Sequence, residues 1–186
     1  RSRAYLEIQN GCNHSCTFCI IPQGRGLSKS VPMDTILEKI RNLVNKGFKE
    51  IVLTGVDITC WGSDIAGNDK LGDLVSNILN ETPNLPRLRL SSLDVSEMDD
   101  NLLHVFKTNK RMMPHLHLSL QSGNNLILKR MKRRHSREQA IDVCRNLKAA
   151  RPELTFGADL IAGFPTESNT MFLDTIKLVD ECDISW

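Results

Sequence analysis

Three cysteines stand within eight positions near the start of the chain, Cys12, Cys16 and Cys19, in the run GCNHSCTFC from Gly11 to Cys19. The C-x3-C-x2-C spacing places three thiols on one short loop, where they can converge on a single small object. They cannot complete a closed site. Structural zinc takes four ligands, and a [4Fe–4S] cluster takes four thiolates, one per iron. Three thiolates leave one iron of such a cluster open to a substrate or cofactor. The alternative is a zinc loop completed by His14 or Cys60. The remaining cysteines say less: Cys144 falls on a helical apolar stripe and Cys182 at a helix end, where buried inert thiols are usual.

A loop of this kind needs a frame, and the chain alternates strand and helix patterns throughout. Strands are predicted over Ala4–Gln9, Glu50–Thr54, Arg87–Ser91, His115–Gln121 and Thr155–Ile161, with a sixth beginning at Asp183–Trp186. Between them run helical stripes. Ile36, Leu37, Ile40, Leu43 and Val44 form one that closes at Gly47. Leu71, Leu74, Val75, Ile78 and Leu79 form another that stops before Pro83. Met98, Leu102, Leu103 and Phe106 follow Ser96; Ser136 with Gln139 reads as a capping box; Phe172, Ile176 and Val179 mark the last helix. Such alternation implies parallel strands with right-handed crossovers in one α/β domain. In HLHLSLQ the leucines 116, 118 and 120 share one face, opposite His117, Ser119 and Gln121. The strands around Leu6 and Leu88 divide in the same way. A flat sheet covered on both sides needs two apolar faces; these strands have one. The pattern predicts a partial (β/α)6 barrel, helices outside and a wet lumen within, with the cysteine loop at the rim where barrel chemistry sits.

The 186 residues are 40 % hydrophobic and 25 % charged, which excludes a disordered or collagen-like chain. No apolar run reaches the roughly 18–20 residues that a membrane span needs, so no membrane partner is expected. Charge is unevenly placed. No acid lies between Asp100 and Glu138, while nine lysines and arginines do, leaving fifteen basic against 22 acidic residues elsewhere. The basic run Lys129, Arg130, Lys132, Arg134 and Arg137 is expected to meet nucleic-acid phosphates. The first residue is arginine, and both ends read as cut from a longer chain.

With its aromatic Phe18 before the last cysteine, the loop resembles that of the radical S-adenosylmethionine (SAM) superfamily. Later segments extend the likeness to that superfamily's methylthiotransferases: GCNHSCTFCIIPQGRG from Gly11, EIVLTGVDI from Glu50, LRLSSLDVSEM from Leu88, HLHLSLQSGNNLILKRMKRRHS from His115 and DLIAGFP from Asp159. Thr54–Asp57 and the basic Lys129–Arg134 run resemble the branch acting on tRNA N6-threonylcarbamoyladenosine. The isopentenyladenosine branch and the modifiers of a ribosomal-protein aspartate are the alternatives, and a zinc-stabilised RNA-binding domain is the rival outside catalysis.

The resemblance implies a partial barrel in which Cys12, Cys16 and Cys19 hold a [4Fe–4S] cluster whose open iron binds SAM. Reductive cleavage then yields a 5′-deoxyadenosyl radical, and C2 of the adenine at tRNA position 37 gains a methylthio group. It further implies tRNA and an electron donor such as flavodoxin or ferredoxin as partners, and a cytoplasmic setting. Residues 1–186 would be the central radical SAM core. A second [4Fe–4S] cluster would belong to an N-terminal domain and an RNA-binding module would follow, both outside this chain. Carried onto this sequence, the SAM site would use Gly55, Ser119, Gln121, Arg133, Asp159 and Gly163; Arg133 is chosen because a guanidinium can grip a carboxylate with two bonds. Thr166 stands where the family often has glycine.

Overall fold

The computed structural model describes residues 2–186. Its long strands are β1 (Arg3–Asn10), β3 (Glu50–Gly55), β4 (Arg87–Leu90), β5 (His115–Gln121) and β6 (Thr155–Leu160); β2 (Lys29–Ser30) is a short antiparallel partner of β1. Pairing runs β2-β1-β3-β4 in one sheet and β5-β6 in another, and every pair of long strands is parallel. Single parallel bridges Leu88–Met112 and Leu93–Leu118 join the two, and Phe156–Ile184 begins a sixth strand. The result is the expected curled half-barrel.

Alternation decides which way each strand faces. Leu6 and Ile8, Leu88 and Leu90, and Leu116, Leu118 and Leu120 are all buried beneath the helices, while His115, His117, Ser119 and Gln121 are half-exposed on the opposite side of β5. The outer layer comprises α2 (Met33–Asn45), α3 (Leu71–Glu81), α4 (Asp100–Thr108), α6 (Arg137–Ala150) and α7 (Asn169–Glu181); α1 (Ile21–Arg25) and α5 (Asn125–Arg130) are short additions at the rim that periodicity alone does not reveal. Ser136 and Gln139 do form a reciprocal capping box at the start of α6. Gly47 ends α2 at φ 87°, a left-handed conformation that suits glycine.

Two sequence expectations shift. The helix placed after Ser96 splits: Val95–Glu97 is a single 3-10 turn capped by Asp94, and α4 starts only at Asp100, capped by Asp99. Two capping aspartates five residues apart each start their own turn. The stripe Phe172, Ile176 and Val179 is not the buried face of α7 either. Thr175 and Leu178 are buried, while Phe172 and Ile176 are 37 % and 47 % exposed. A hydrogen bond explains the rotation: Gly123 N–H donates to Thr175 Oγ1 at 2.9 Å. A Cβ on Gly123 would lie 2.5 Å from the Asp174 carbonyl oxygen, so α7 packs there only because residue 123 has no side chain.

Candidate active site

The loop after β1 turns at Gly11, at φ 72°, where a Cβ would sit 2.1 Å from the Leu27 carbonyl oxygen. The backbone of the loop is tied down at both ends. Cys12 N–H donates to Gly26 O at 3.1 Å, and Thr17 N–H donates to Met131 O at 3.2 Å. Beneath it lies Gln9, fully buried at the end of β1. Its Oε1 accepts from Val56 N–H at 3.1 Å and Asp57 N–H at 2.8 Å, while its Nε2 donates to Gly11 O at 2.7 Å and Ser28 Oγ at 2.9 Å. One amide thus welds the cysteine loop to the end of β3.

Cys12, Cys16 and Cys19 line a single cavity of about 200 Å3, open to solvent on one side. Phe18, Ile21 and Val56 give it apolar wall, Asp57 and Asp94 face it as acids, and Ser119, Gln121 and Arg133 close it from the β5 side. Arg133 is held hard. Its Nη2 donates to Asp94 Oδ2 at 2.8 Å and to the Ser119 carbonyl at 2.7 Å, and its Nη1 lies 3.8 Å from Cys16 Sγ. Its Nε is buried without a partner. Asp94 also accepts from Arg134 Nη2 at 2.9 Å. Burial raises the Asp94 pKa, but Arg133, the Ser96 hydrogen bonds and Arg134 outweigh it and hold the carboxyl below the ordinary range.

The six sequence-named residues Cys12, Cys16, Cys19, Ser119, Gln121 and Arg133 therefore meet at one place. Three others lie outside the cavity wall. Gly55 ends β3 behind it, where a Cβ would meet Gln9 O at 2.5 Å, so its role is close packing. Asp159 is largely exposed and pairs with His117 Nε2 at 3.3 Å. Gly163 sits in a left-handed turn, its N–H donating to Glu167 Oε2 at 2.7 Å. Gln9, Asp57 and Asp94 are among the site residues that sequence reasoning gave no role. The signal for Gln9 was a polar side chain on a strand face at the very end that precedes the loop. For Asp94 no spacing points across 39 residues to Arg133.

The basic run divides. Lys129, Arg130 and Lys132 are exposed on the rim, with Arg130 Nη1 donating to Thr166 Oγ1 at 2.7 Å. Thr166 keeps a left-handed φ of 72° despite not being glycine. Arg134 is drawn onto Asp94 and Glu97. Arg137 turns inward to Glu181 and to the carbonyls of Gly123 and Asp174, which leaves it little reach toward a nucleic acid.

Burial pushes the Cys12 thiol up to about 11, the Asp57 carboxylate adding to this against the His14 N–H. Burial and the Glu97 charge likewise raise Asp57. A thiol so placed keeps its proton until a cation replaces it. Among the described residues no fourth cysteine lines the cavity, so the three thiols suit an iron–sulfur cluster with one open corner; His14 also lines it.

A family model described as the radical SAM superfamily matches residues 6–179. Over all 186 residues the chain is 52 % identical to "Threonylcarbamoyladenosine tRNA methylthiotransferase MtaB" of Rickettsia prowazekii, spanning 44 % of that protein. It is 37 % identical over 181 residues, 97 % of this chain and 34 % of the other, to "tRNA-2-methylthio-N(6)-dimethylallyladenosine synthase" of Shouchella clausii. Among solved structures, the radical SAM methyltransferase TsrM of Kitasatospora setae, bound to tryptophan and a SAM analogue, superposes with a TM-score of 0.79 at 14 % identity. The match covers 98 % of this chain and 34 % of that one, and shows a shared fold. The chain thus spans less than half the length of the curated relatives it matches. With three thiols converging at the rim of a half-barrel and the family model covering nearly the whole sequence, the chain belongs to the radical SAM superfamily.

Proposed function

We propose that this chain is the radical-generating core of a tRNA methylthiotransferase that modifies adenine C2 of N6-threonylcarbamoyladenosine at position 37. The observation that carries the reading is the convergence of Cys12, Cys16 and Cys19 on one cavity that holds no fourth cysteine. Likeness to the threonylcarbamoyladenosine enzymes at 52 % identity supports the branch. When bound, a [4Fe–4S] cluster and SAM supply an adenosyl radical able to take hydrogen from an unactivated carbon. The chain's own residues do the positioning. Gln9 fixes the loop carrying the thiols, Arg133 places a buried positive charge beside Cys16, and Phe18, Ile21 and Val56 make one wall apolar. Ser119 and Gln121 offer polar contacts to the cofactor from β5.

The same reading brings tRNA as substrate, with Lys129, Arg130 and Lys132 as the exposed phosphate contacts. It also brings a flavodoxin- or ferredoxin-like electron donor, a second cluster on another part of the whole protein, and a cytoplasmic setting. Among the described residues no helix is long and apolar enough to cross a membrane.

The test has two parts. Anaerobic reconstitution of the whole protein with all three of these cysteines changed to alanine should lower iron content by about four per chain and abolish SAM cleavage under dithionite. Nucleoside mass spectrometry of tRNA from a deletion strain should show loss of the methylthio-threonylcarbamoyl product. Loss of the dimethylallyl methylthio product in its place would move the enzyme to the other branch.

A further inference from the structure

Beside the cysteine cavity lies a second group of donors that the reading above leaves unused. We propose that His14, Asp57, Cys60 and Glu97 form a separate site for one divalent cation of the zinc class.

The four come from different segments: His14 from the cysteine loop, Asp57 from the turn after β3, Cys60 from the 3-10 turn Ile58–Cys60, and Glu97 from the 3-10 turn after β4. One ligand atom of each lies within 4.8 Å of all the others. His14 Nε2 is 2.8 Å from Asp57 Oδ2, 3.3 Å from Glu97 Oε1 and 3.5 Å from Cys60 Sγ, and the Cys60 thiol donates to Glu97 Oε1 at 2.8 Å. Zinc bonds of about 2.0–2.3 Å in a tetrahedron put neighbouring ligand atoms roughly 3.3–3.8 Å apart. A slight expansion of this group reaches that geometry.

Donor chemistry selects the ion. A thiol with an imidazole favours zinc over magnesium or calcium, which prefer oxygen alone. On binding, the cation takes the place of the Cys60 thiol proton, which leaves to solvent. The thiolate and two carboxylates then face the divalent ion and the Arg134 guanidinium, which contacts Glu97, so the local charge balances. Glu97 Oε2 is buried with no partner and is free to turn toward the ion.

The site also has its own entrance. His14 and Asp57 line the cysteine cavity, but Cys60 and Glu97 line a neighbouring one of about 510 Å3 that contains none of the three loop cysteines. With four protein ligands the site would be closed, and its effect structural: it would pin the middle of the cysteine loop to the ends of β3 and β4. This inference does not depend on the methylthiotransferase reading, since none of Cys12, Cys16 or Cys19 is a ligand.

Cobalt(II) is the probe, added anaerobically to the whole protein with Cys12, Cys16 and Cys19 all changed to alanine. Beyond any cobalt held by the second cluster's ligands elsewhere in the whole protein, the expected result is one equivalent of tetrahedral cobalt with a thiolate charge-transfer band, displaced by zinc. That component should vanish when Cys60→Ser is added. A titration unaltered by Cys60→Ser would overturn the site. Because the triple variant can fail to fold, elemental analysis of the cluster-loaded protein with its loop cysteines intact gives the second measurement. Glu97→Gln should remove one zinc per chain with iron unchanged; equal zinc in both proteins would refute the proposal.

Discussion

The cysteine loop and the basic segment at residues 129–137 lie against one another and are both dense with one residue type, yet their side chains are sorted in different ways. Three cysteines stay together: they line one cavity, as their spacing implies. The basic residues separate. Lys129, Arg130 and Lys132 face solvent, while Arg133, Arg134 and Arg137 turn onto Asp94, Glu97 and Glu181, acids 37 to 44 positions away. The loop is short and pinned at both ends, so sequence spacing decides where its side chains point. A charge run has no such constraint, and long-range partners sort it residue by residue. A cluster of positive charge is thus half a surface and half an internal fastener.

The sharpest way to break this contrast is to remove the carboxylate that fastens the inner half. Asp94 is 5 % exposed, and the Arg133 side chain it holds is 8 % exposed. Asp94→Ala strands a buried guanidinium, and unfolding free energy should fall by about 3–5 kcal/mol. A urea midpoint reads the change, and a loss under about 1 kcal/mol would show the pair to be solvated. The pH dependence has a defined sign. The folded Asp94 carboxyl titrates below its unfolded value, so its contribution is complete above the unfolded pKa. It disappears as pH falls through the depressed folded value. Asp94→Ala should flatten that acid limb.

The outer half gives the next effect. Lys129→Glu with Lys132→Glu should reduce the slope of log K against log salt for tRNA binding by the whole protein by roughly 1.5, two phosphate contacts' worth. Arg137→Gln, in contrast, should leave the slope alone and lower stability, because its guanidinium is engaged with Glu181 and two carbonyls. If Arg137→Gln flattens the slope as much as the lysine pair does, the division into inner and outer halves fails.

The same contrast explains what could be read from the chain alone. The half-barrel followed from strand alternation because period two states directly which side chains share a face, as Leu116, Leu118 and Leu120 do. The thiol cluster followed from local spacing. What escaped depends on pairing across the sequence. Gln9 reads as one more polar lumen residue until its amide is seen joining β1 to residues 56 and 57. The buried face of α7 is set by Gly123 and Thr175, 52 positions apart, and not by the apolar stripe. Arg133 was placed at the cavity for its chemistry, but its tether to Asp94 and the Ser119 carbonyl has no local signature.

The smallest effect concerns the hinge between the halves. Lys132 is exposed and sits at φ 58° just after α5. Its N–H donates to Lys129 O at 3.0 Å, and Arg133 N–H donates to Leu128 O at 2.9 Å, the paired bonds of a helix end closed by a left-handed residue. That turn sends residue 132 outward and residue 133 back into the cavity. A side chain in this conformation costs about 1–2 kcal/mol, and glycine's extra freedom in the unfolded chain offsets part of the relief. Lys132→Gly should therefore raise stability by about 0.5–1 kcal/mol, measured by the same urea midpoint. Binding of tRNA should weaken at the same time, because one exposed charge is lost. If Lys132→Gly gains stability with tRNA affinity and its salt slope unchanged, the residue's charge has no part in binding.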